Sequence, residues 1–251
     1  MLIELKDVCK RFGHLVVLDR LNLGVQEGQS LVVIGASGSG KSVLLKHIVG
    51  LMRPDRGRIC FEGRRIEELP ERKMIEIRRR FGFLFQMGAL FDSLNVRENV
   101  AFPLKQHTDK SDPEIHQIVR QKLAMVGLSD AEQKMPAELS GGQRKRVALA
   151  RAIALDPQVI LYDEPTTGLD PIRADVINQL ILKLRHELNV TSIVVTHDMA
   201  SAFKVADRIV MLHEGKIIAD ATPREIQDSV DPVVRQFVGA DAAEIRIAND
   251  K

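Results

Sequence analysis

No apolar stretch of the sequence approaches the roughly 18 residues that a membrane-spanning helix needs. The opening Met1-Leu2-Ile3-Glu4-Leu5-Lys6-Asp7 is acidic where a secretory leader would be basic and then apolar. A soluble, cytoplasmic chain is therefore expected. Charge of one sign is missing too: 36 Lys and Arg stand against 34 Asp and Glu, a net charge of +2, so no polyanion is called for and nucleic acid is not an expected partner. Cysteine is scarce. Cys9 and Cys60 have neither C-x-x-C nor ligand-like spacing, so they are expected to be small buried residues rather than a disulfide or a metal site. There is no internal repeat and no low-complexity tract. What remains is an ordinary globular balance, 45% hydrophobic and 28% charged over 251 residues, enough for one large domain or two small ones.

Within that balance one stretch dominates, Leu31-Val32-Val33-Ile34-Gly35-Ala36-Ser37-Gly38-Ser39-Gly40-Lys41-Ser42. An apolar strand breaks into glycines and gives way to a new amphipathic segment, with Gly35, Gly40, Lys41 and Ser42 at the spacing G-x-x-x-x-G-K-[ST]. Gly35, Gly38 and Gly40 open backbone angles closed to other residues. They and Ser37 let successive N–H groups reach phosphate oxygens. Lys41 supplies a point charge for the terminal phosphates and Ser42 a ligand for magnesium, while the helix beginning there adds the positive end of its dipole. The expected ligand is a nucleoside triphosphate, ATP or similar, with Mg2+.

Before this loop, Ile3-Leu5-Val8 and Val16-Leu18-Leu21-Leu23-Val25, broken by turns at Gly13-His14 and Gly24, predict a small antiparallel sheet. Phe12, at the first turn, could stack on a base, but a lone Phe beside an apolar strand reads better as core. After a helix over about Ser42–Leu51 and a strand Arg58–Phe61, the charge-rich Arg64–Arg80 reads as a solvated face rather than a binding patch. Strand Phe81–Phe85 ends at Gln86. Helical patterns then fill Val96–Leu104, Pro113–Val126 and Gln143–Leu155. Strands Val159–Tyr162, Ser192–Val195, Arg208–Leu212 and Lys216–Ala219, with a helix near Ala174–Leu188 between the first two, imply a largely parallel sheet. The fold expected is α/β: a phosphate-loop (P-loop) nucleoside triphosphatase core of mainly parallel sheet, with an N-terminal antiparallel β subdomain and an inserted helical subdomain. Residues 1–86 and 158–221 are assigned to the nucleotide-binding core, 87–157 to the helical subdomain and 222–251 to short helices and a tail.

Three strand ends carry polar groups toward the rim where parallel strands present ligands. Strand Val159–Tyr162 delivers Asp163, suited to holding magnesium through its water shell, and Glu164, suited to orienting or deprotonating an attacking water. Ser192–Val195 delivers His197, a possible donor to a terminal phosphate, although a lone histidine is more often structural. The third group is Gln86. A second anion site lies in Leu139-Ser140-Gly141-Gly142-Gln143, where Ser140 can cap the next helix and the glycines bare its N-terminal N–H groups. One nucleotide does not need two such helix ends from one subunit. A two-fold dimer, with each nucleotide between the loop of one chain and the cap of the other, uses both.

Gly35–Ser42, Gln86, Leu139–Gln143, Val159–Glu164, Gly168-Leu169-Asp170 and His197 together resemble the nucleotide-binding subunit of an ATP-binding cassette (ABC) transporter, over nearly the whole chain as a single domain. The resemblance makes these the Walker A motif, glutamine loop, signature motif, Walker B motif, D-loop and switch histidine. It turns Phe12 into the adenine-stacking aromatic. It implies catalytic roles for Glu164, His197 and Gln86, nucleotide contacts from the signature residues and Asp170, and magnesium held by Ser42, Gln86 and Asp163. It also implies a homodimer closing on two ATP molecules and a separate membrane permease. Phe85-Gln86-Met87-Gly88-Ala89-Leu90-Phe91-Asp92-Ser93-Leu94 and Val96–Pro103 further resemble the ATPases of MCE-type lipid transporters, which implies phospholipid transport, an MCE-domain lipid-binding protein as partner, and a place on the cytoplasmic face of the inner membrane. Other transporter classes, for amino acids or lipoproteins, and non-transport cassette ATPases are the alternatives. The latter usually carry long coiled coils or two cassettes, and neither is present here.

Overall fold

Every residue of the strand Ser30–Ile34 is buried, as a Leu-Val-Val-Ile run requires when a sheet is covered on both faces. The computed structural model describes residues 1–239. In chain order the elements are β1 (Ile3–Phe12), β2 (Leu15–Val25), β3 (Ser30–Ile34), α1 (Lys41–Ile48), β4 (Arg56–Phe61), β5 (Arg64–Arg65), α2 (Glu71–Arg78), β6 (Phe81–Leu84), α3 (Val96–His107) and α4 (Asp112–Met125). There follow α5 (Gly141–Ala152), β7 (Val159–Asp163), α6 (Pro171–Leu188), β8 (Thr191–Thr196), α7 (Met199–Val205), β9 (Arg208–His213), β10 (Lys216–Ala221), α8 (Pro223–Gln227) and a last helix over 232–239. They form two compact units, one of Met1–Leu69 with the chain from Ile193, the other of Pro70–Ser192.

The first unit holds the antiparallel sheet β2-β1-β4-β5 and the strand series β10-β9-β3-β8. In the latter β3 runs parallel to β9, with Ile34 beside Met211, and β9 antiparallel to β10. Ser30 fixes the entry to β3: its Oγ donates to the Val205 carbonyl at 2.6 Å and its N–H to the Asp207 carboxylate at 2.9 Å. In the second unit β6 and β7 are parallel, α3, α4 and α5 pack on one another, and α5 lies on β6. That approach needs Gly82, where a Cβ would stand 2.6 Å from the Ala152 carbonyl oxygen. Helix starts are set by side chains: Asn95 and Glu98 on α3, Ser140 and Gln143 on α5, and Thr222 and Glu225 on α8 form reciprocal capping boxes. A cap of this kind is worth about 0.5–2 kcal/mol.

Several expectations are corrected. Gly24 makes no turn but lies inside β2, paired with Glu4. Arg64–Arg80 is not merely a solvated face, because α2 forms within it and buries Met74 and Ile77. Phe12 is not core: it is 47% exposed at the end of β1. The two cysteines are free and only half-buried. Helix α7, absent from the expected elements, is started by Asp198, whose carboxylate accepts from the Ser201 N–H. The expected tail falls on 240–251, outside the described residues.

Candidate functional site

In the first unit the chain leaves β3 at Gly35, whose φ of 151° is open to glycine and where a Cβ would sit 2.3 Å from the Leu212 carbonyl oxygen of neighbouring β9. No side chain fits there. Ser37 and Gly38 form the exposed crest of the loop, and Gly40, with φ 105°, passes so close to β2 that a Cβ would meet the Val17 carbonyl at 3.0 Å. Helix α1 starts directly after it, with no side-chain cap and no acidic residue in its first turn. Its positive dipole end is thus not offset by a carboxylate of its own, unlike the starts of α3, α4 and α8. Lys41 is only 6% exposed, and its Nζ donates to the carbonyls of Gly35 at 2.7 Å and Ala36 at 3.1 Å. Ser42 stands beside it, half-buried. A glycine-lined crest, a buried ammonium, a hydroxyl and an uncapped helix start make a cradle for phosphate oxygens.

Two more sequence-selected residues belong to this unit. Phe12 ends β1 opposite Leu15, and Asp55 braces the strand beneath it. One Asp55 oxygen accepts from Lys10 Nζ at 2.8 Å and the other from the Arg11 N–H at 2.7 Å, while Lys10 Nζ lies 5.7 Å from the Phe12 ring centroid. Those contacts hold the Asp55 carboxyl below its usual range. His197 follows β8, the strand next to β3, and its side chain is exposed.

The second unit brings together the strand end of β7, the start of α5 and the turn before α6. Asp163 and Glu164 are 7% and 8% exposed. Glu164 has φ 50°, a left-handed conformation uncommon for a non-glycine residue, and its Oε2 accepts from Thr167 Oγ1 at 3.1 Å. Ser140 Oγ accepts from the Gln143 N–H at 3.3 Å, and Gln143 Oε1 from the Ser140 N–H at 2.9 Å, so the expected cap exists. Gly141 lies 3.8 Å, at its Cβ position, from Leu169, and Asp170 caps α6 by accepting from the Arg173 N–H at 3.0 Å. Gln86 is exposed just past β6.

Beyond Gln86 the chain lines a groove of about 320 Å³ with Phe85, Ala89, Phe91, Phe102, Pro103 and Arg151. Two residues that sequence reading passed over build it. Buried Asn99 accepts from the Phe91 N–H at 2.9 Å and donates to the Phe91 and Leu94 carbonyls. Arg151 donates to the carbonyls of Ala89 at 2.7 Å and Gly88 at 2.9 Å, with its guanidinium 5.6 Å from the Phe91 ring centroid. The loop is thereby fixed with Met87 86% and Phe91 41% exposed.

Residues 18–167 match the family model described as ABC transporter. The chain belongs to that family of ATP-binding cassette proteins, whose solved members share its α/β phosphate-loop nucleoside triphosphatase fold. Among individual relatives it is 46% identical over 237 residues to the intermembrane phospholipid transport system ATP-binding protein MlaF of Haemophilus influenzae, covering 94% of this chain and 90% of that one. It is 45% identical over 236 residues to the probable ribonucleotide transport ATP-binding protein mkl of Mycobacterium leprae, covering 94% of this chain and 68% of the relative. Among solved structures, the cassette MJ0796, dimeric and bound to ADP and Pi in a post-hydrolysis state, superposes with a TM-score of 0.82 at 35% identity, over 88% of this chain and 99% of that one.

Proposed function

We propose that this cassette ATPase works as a homodimer on Mg-ATP and drives phospholipid transport through a separate membrane permease. Phe12 stacks on adenine, the Gly35–Ser42 loop holds the phosphates, and Ser42, Gln86 and Asp163 serve the magnesium. Hard oxygen donors of that kind suit Mg2+, which keeps the rest of its shell for phosphates and water. Glu164 takes the proton of the attacking water, His197 contacts the terminal phosphate, and Ser140–Gln143 with Asp170 face the nucleotide of the other protomer. Magnesium supplies charge neutralisation along the phosphates. The cradle formed by Gly35, Gly40 and Lys41 supports the nucleotide assignment most directly. Lys41→Ala is therefore expected to weaken ATP binding by about 10–100-fold, since each lost charge-assisted hydrogen bond costs about 1.5–3 kcal/mol. Unchanged affinity in a nucleotide-binding assay would remove the loop from the site.

The phospholipid reading rests on the MlaF relative and on the groove after Gln86. No helix among the described residues is long and apolar enough to cross a membrane, and in this reading a separate permease provides the path through the bilayer. With it the ATPase sits peripherally at the cytoplasmic face of the inner membrane, alongside an MCE-domain lipid-binding protein. An apolar patch rimmed by polar residues suits a partner helix, and such a helix laid against Phe91 would sense Gln86 as ATP arrives and leaves. Phe91→Asp is expected to leave ATP hydrolysis by the purified subunit intact while abolishing copurification with the permease from membranes. An insoluble variant, or one that still copurifies, would refute docking at this groove. The mycobacterial relative favours a second reading, ribonucleotide transport. Chemical analysis of what copurifies with the assembled transporter separates lipid from nucleotide cargo.

A further inference from the structure

Lys145 lies on α5, two residues past Gln143 of the signature segment, and is only 7% exposed. A buried ammonium needs acceptors for its three N–H groups. Those that Lys145 Nζ reaches are main-chain carbonyls of one short segment: Pro165 at 2.7 Å, Thr167 at 2.7 Å and Glu164 at 3.3 Å. That segment bears Glu164 in its left-handed conformation. Such a conformation is strained for a residue with a side chain and persists only when its surroundings over-determine it. It also contains Thr167, whose hydroxyl holds the Glu164 carboxylate. Burial pushes the Lys145 ammonium down to about 8, with Glu164 pulling it back up, so at neutral pH it is mostly charged and its donors are available.

We propose that Lys145 is a positioning residue for Glu164: from the signature helix it fixes the backbone of 164–167, and Thr167 transmits that fixing to the carboxylate. This inference rests on the reading of Glu164 as the general base. It adds that the cap serving one protomer's nucleotide and the base serving the other are tied within each chain by one side chain. Arg144, next to Lys145, stiffens the same helix start by donating to the Leu139 carbonyl at 2.7 Å.

A double-mutant cycle on the full-length protein tests it, reading single-turnover ATP cleavage, KM for ATP and thermal unfolding. Lys145→Met is expected to lower kcat by about 10–100-fold, the scale of a misplaced reacting group, with KM for ATP within about twofold of wild type. Thr167→Val, at a half-buried site, is expected to lower kcat by about threefold or more through the carboxylate alone. In a Glu164→Gln background neither substitution should lower cleavage further, because residues acting through one group are not additive. Full multiplicative loss in that background, or wild-type kcat in Lys145→Met, would overturn the positioning role while leaving Glu164 as the base. Wild-type cleavage by Glu164→Gln alone would overturn the base itself. Should Lys145→Met not fold, Thr167→Val and its cycle with Glu164→Gln decide the matter.

Discussion

Glu164→Gln is expected to bind ATP as tightly as the wild type and to hydrolyse it about 10²–10⁴ times more slowly, the range for losing a general base. The two side chains have the same shape, and a glutamine carbonyl can accept from Thr167 Oγ1 as the carboxylate does at 3.1 Å. The local structure should therefore survive. What is lost is basicity, since an amide does not take up the proton that an attacking water must shed. Because the site is only 8% exposed, no bulk buffer base can readily replace the carboxylate. ATP then persists between protomers, and the variant should sediment as an ATP-dependent dimer where the wild type cycles through it. Filter binding measures the affinity, phosphate release the turnover, and sedimentation the trapped dimer. Wild-type phosphate release would take Glu164 out of the chemistry.

The parts of this fold and site that were readable in the sequence share a physical cause: each imposes a local constraint on residue type. Gly35 and Gly40 are required because main-chain carbonyls of Leu212 and Val17 occupy the space of a side chain, and the resulting spacing survives as a pattern. Fully buried β3, β7 and β8 are apolar along most of their length, at Leu31–Ile34, 159–161 and 193–195, so they appear as runs even though polar Ser30, Asp163, Thr191, Ser192 and Thr196 are buried with them. Ser140 had to be a capping residue. Helix α2 escaped notice because only Met74 and Ile77 face inward, and eight residues dominated by charge hide that short stripe. Phe12 was misplaced because a strand's pattern gives the face of a side chain but not whether the hairpin end reaches solvent. Gly24 reads as a turn, yet its pairing with Glu4 continues the strand.

Other determinants left no mark that a single sequence could reveal. Lys145 and Arg151 bond to main-chain carbonyls distant in the chain, such as the Arg151 link to Ala89, and Asn99 to the main chain of Phe91 and Leu94 in the loop before its helix. A backbone acceptor is the same at every residue, so no spacing or side-chain type announces it. Such residues look like surface charge or helix filler until the fold brings the carbonyl to them. The start of α5 shows the contrast: the capping pattern of Ser140 and Gln143 was readable, while the lysine that bonds the same helix to the carbonyls of Glu164, Pro165 and Thr167 was not.

Ser140→Arg is expected to abolish hydrolysis by the homodimer while leaving ATP binding to the single chain unchanged. Ser140 is exposed, so the larger side chain meets no packed neighbour. Removing its cap costs α5 about 0.5–2 kcal/mol, a loss the helix tolerates because Val147, Leu149 and Lys145 remain buried. The chain's own phosphate loop does not use Ser140, so ATP affinity at Lys41 should hold. The arginine instead obstructs the face that Ser140, Gly141 and Gly142 offer to the nucleotide of the other protomer. Mixing decides between this shared site and a site complete within one chain. Neither Ser140→Arg nor Lys41→Ala alone forms a competent site, but a heterodimer of the two joins the intact loop of the first with the intact cap of the second, restoring up to about a quarter of wild-type turnover at equal mixing. Titrating one inactive variant into the other and following phosphate release gives the answer: activity that rises to a maximum near equal amounts means a site built across two chains, and a mixture as inactive as its components means that Ser140 serves its own chain's nucleotide or only the fold.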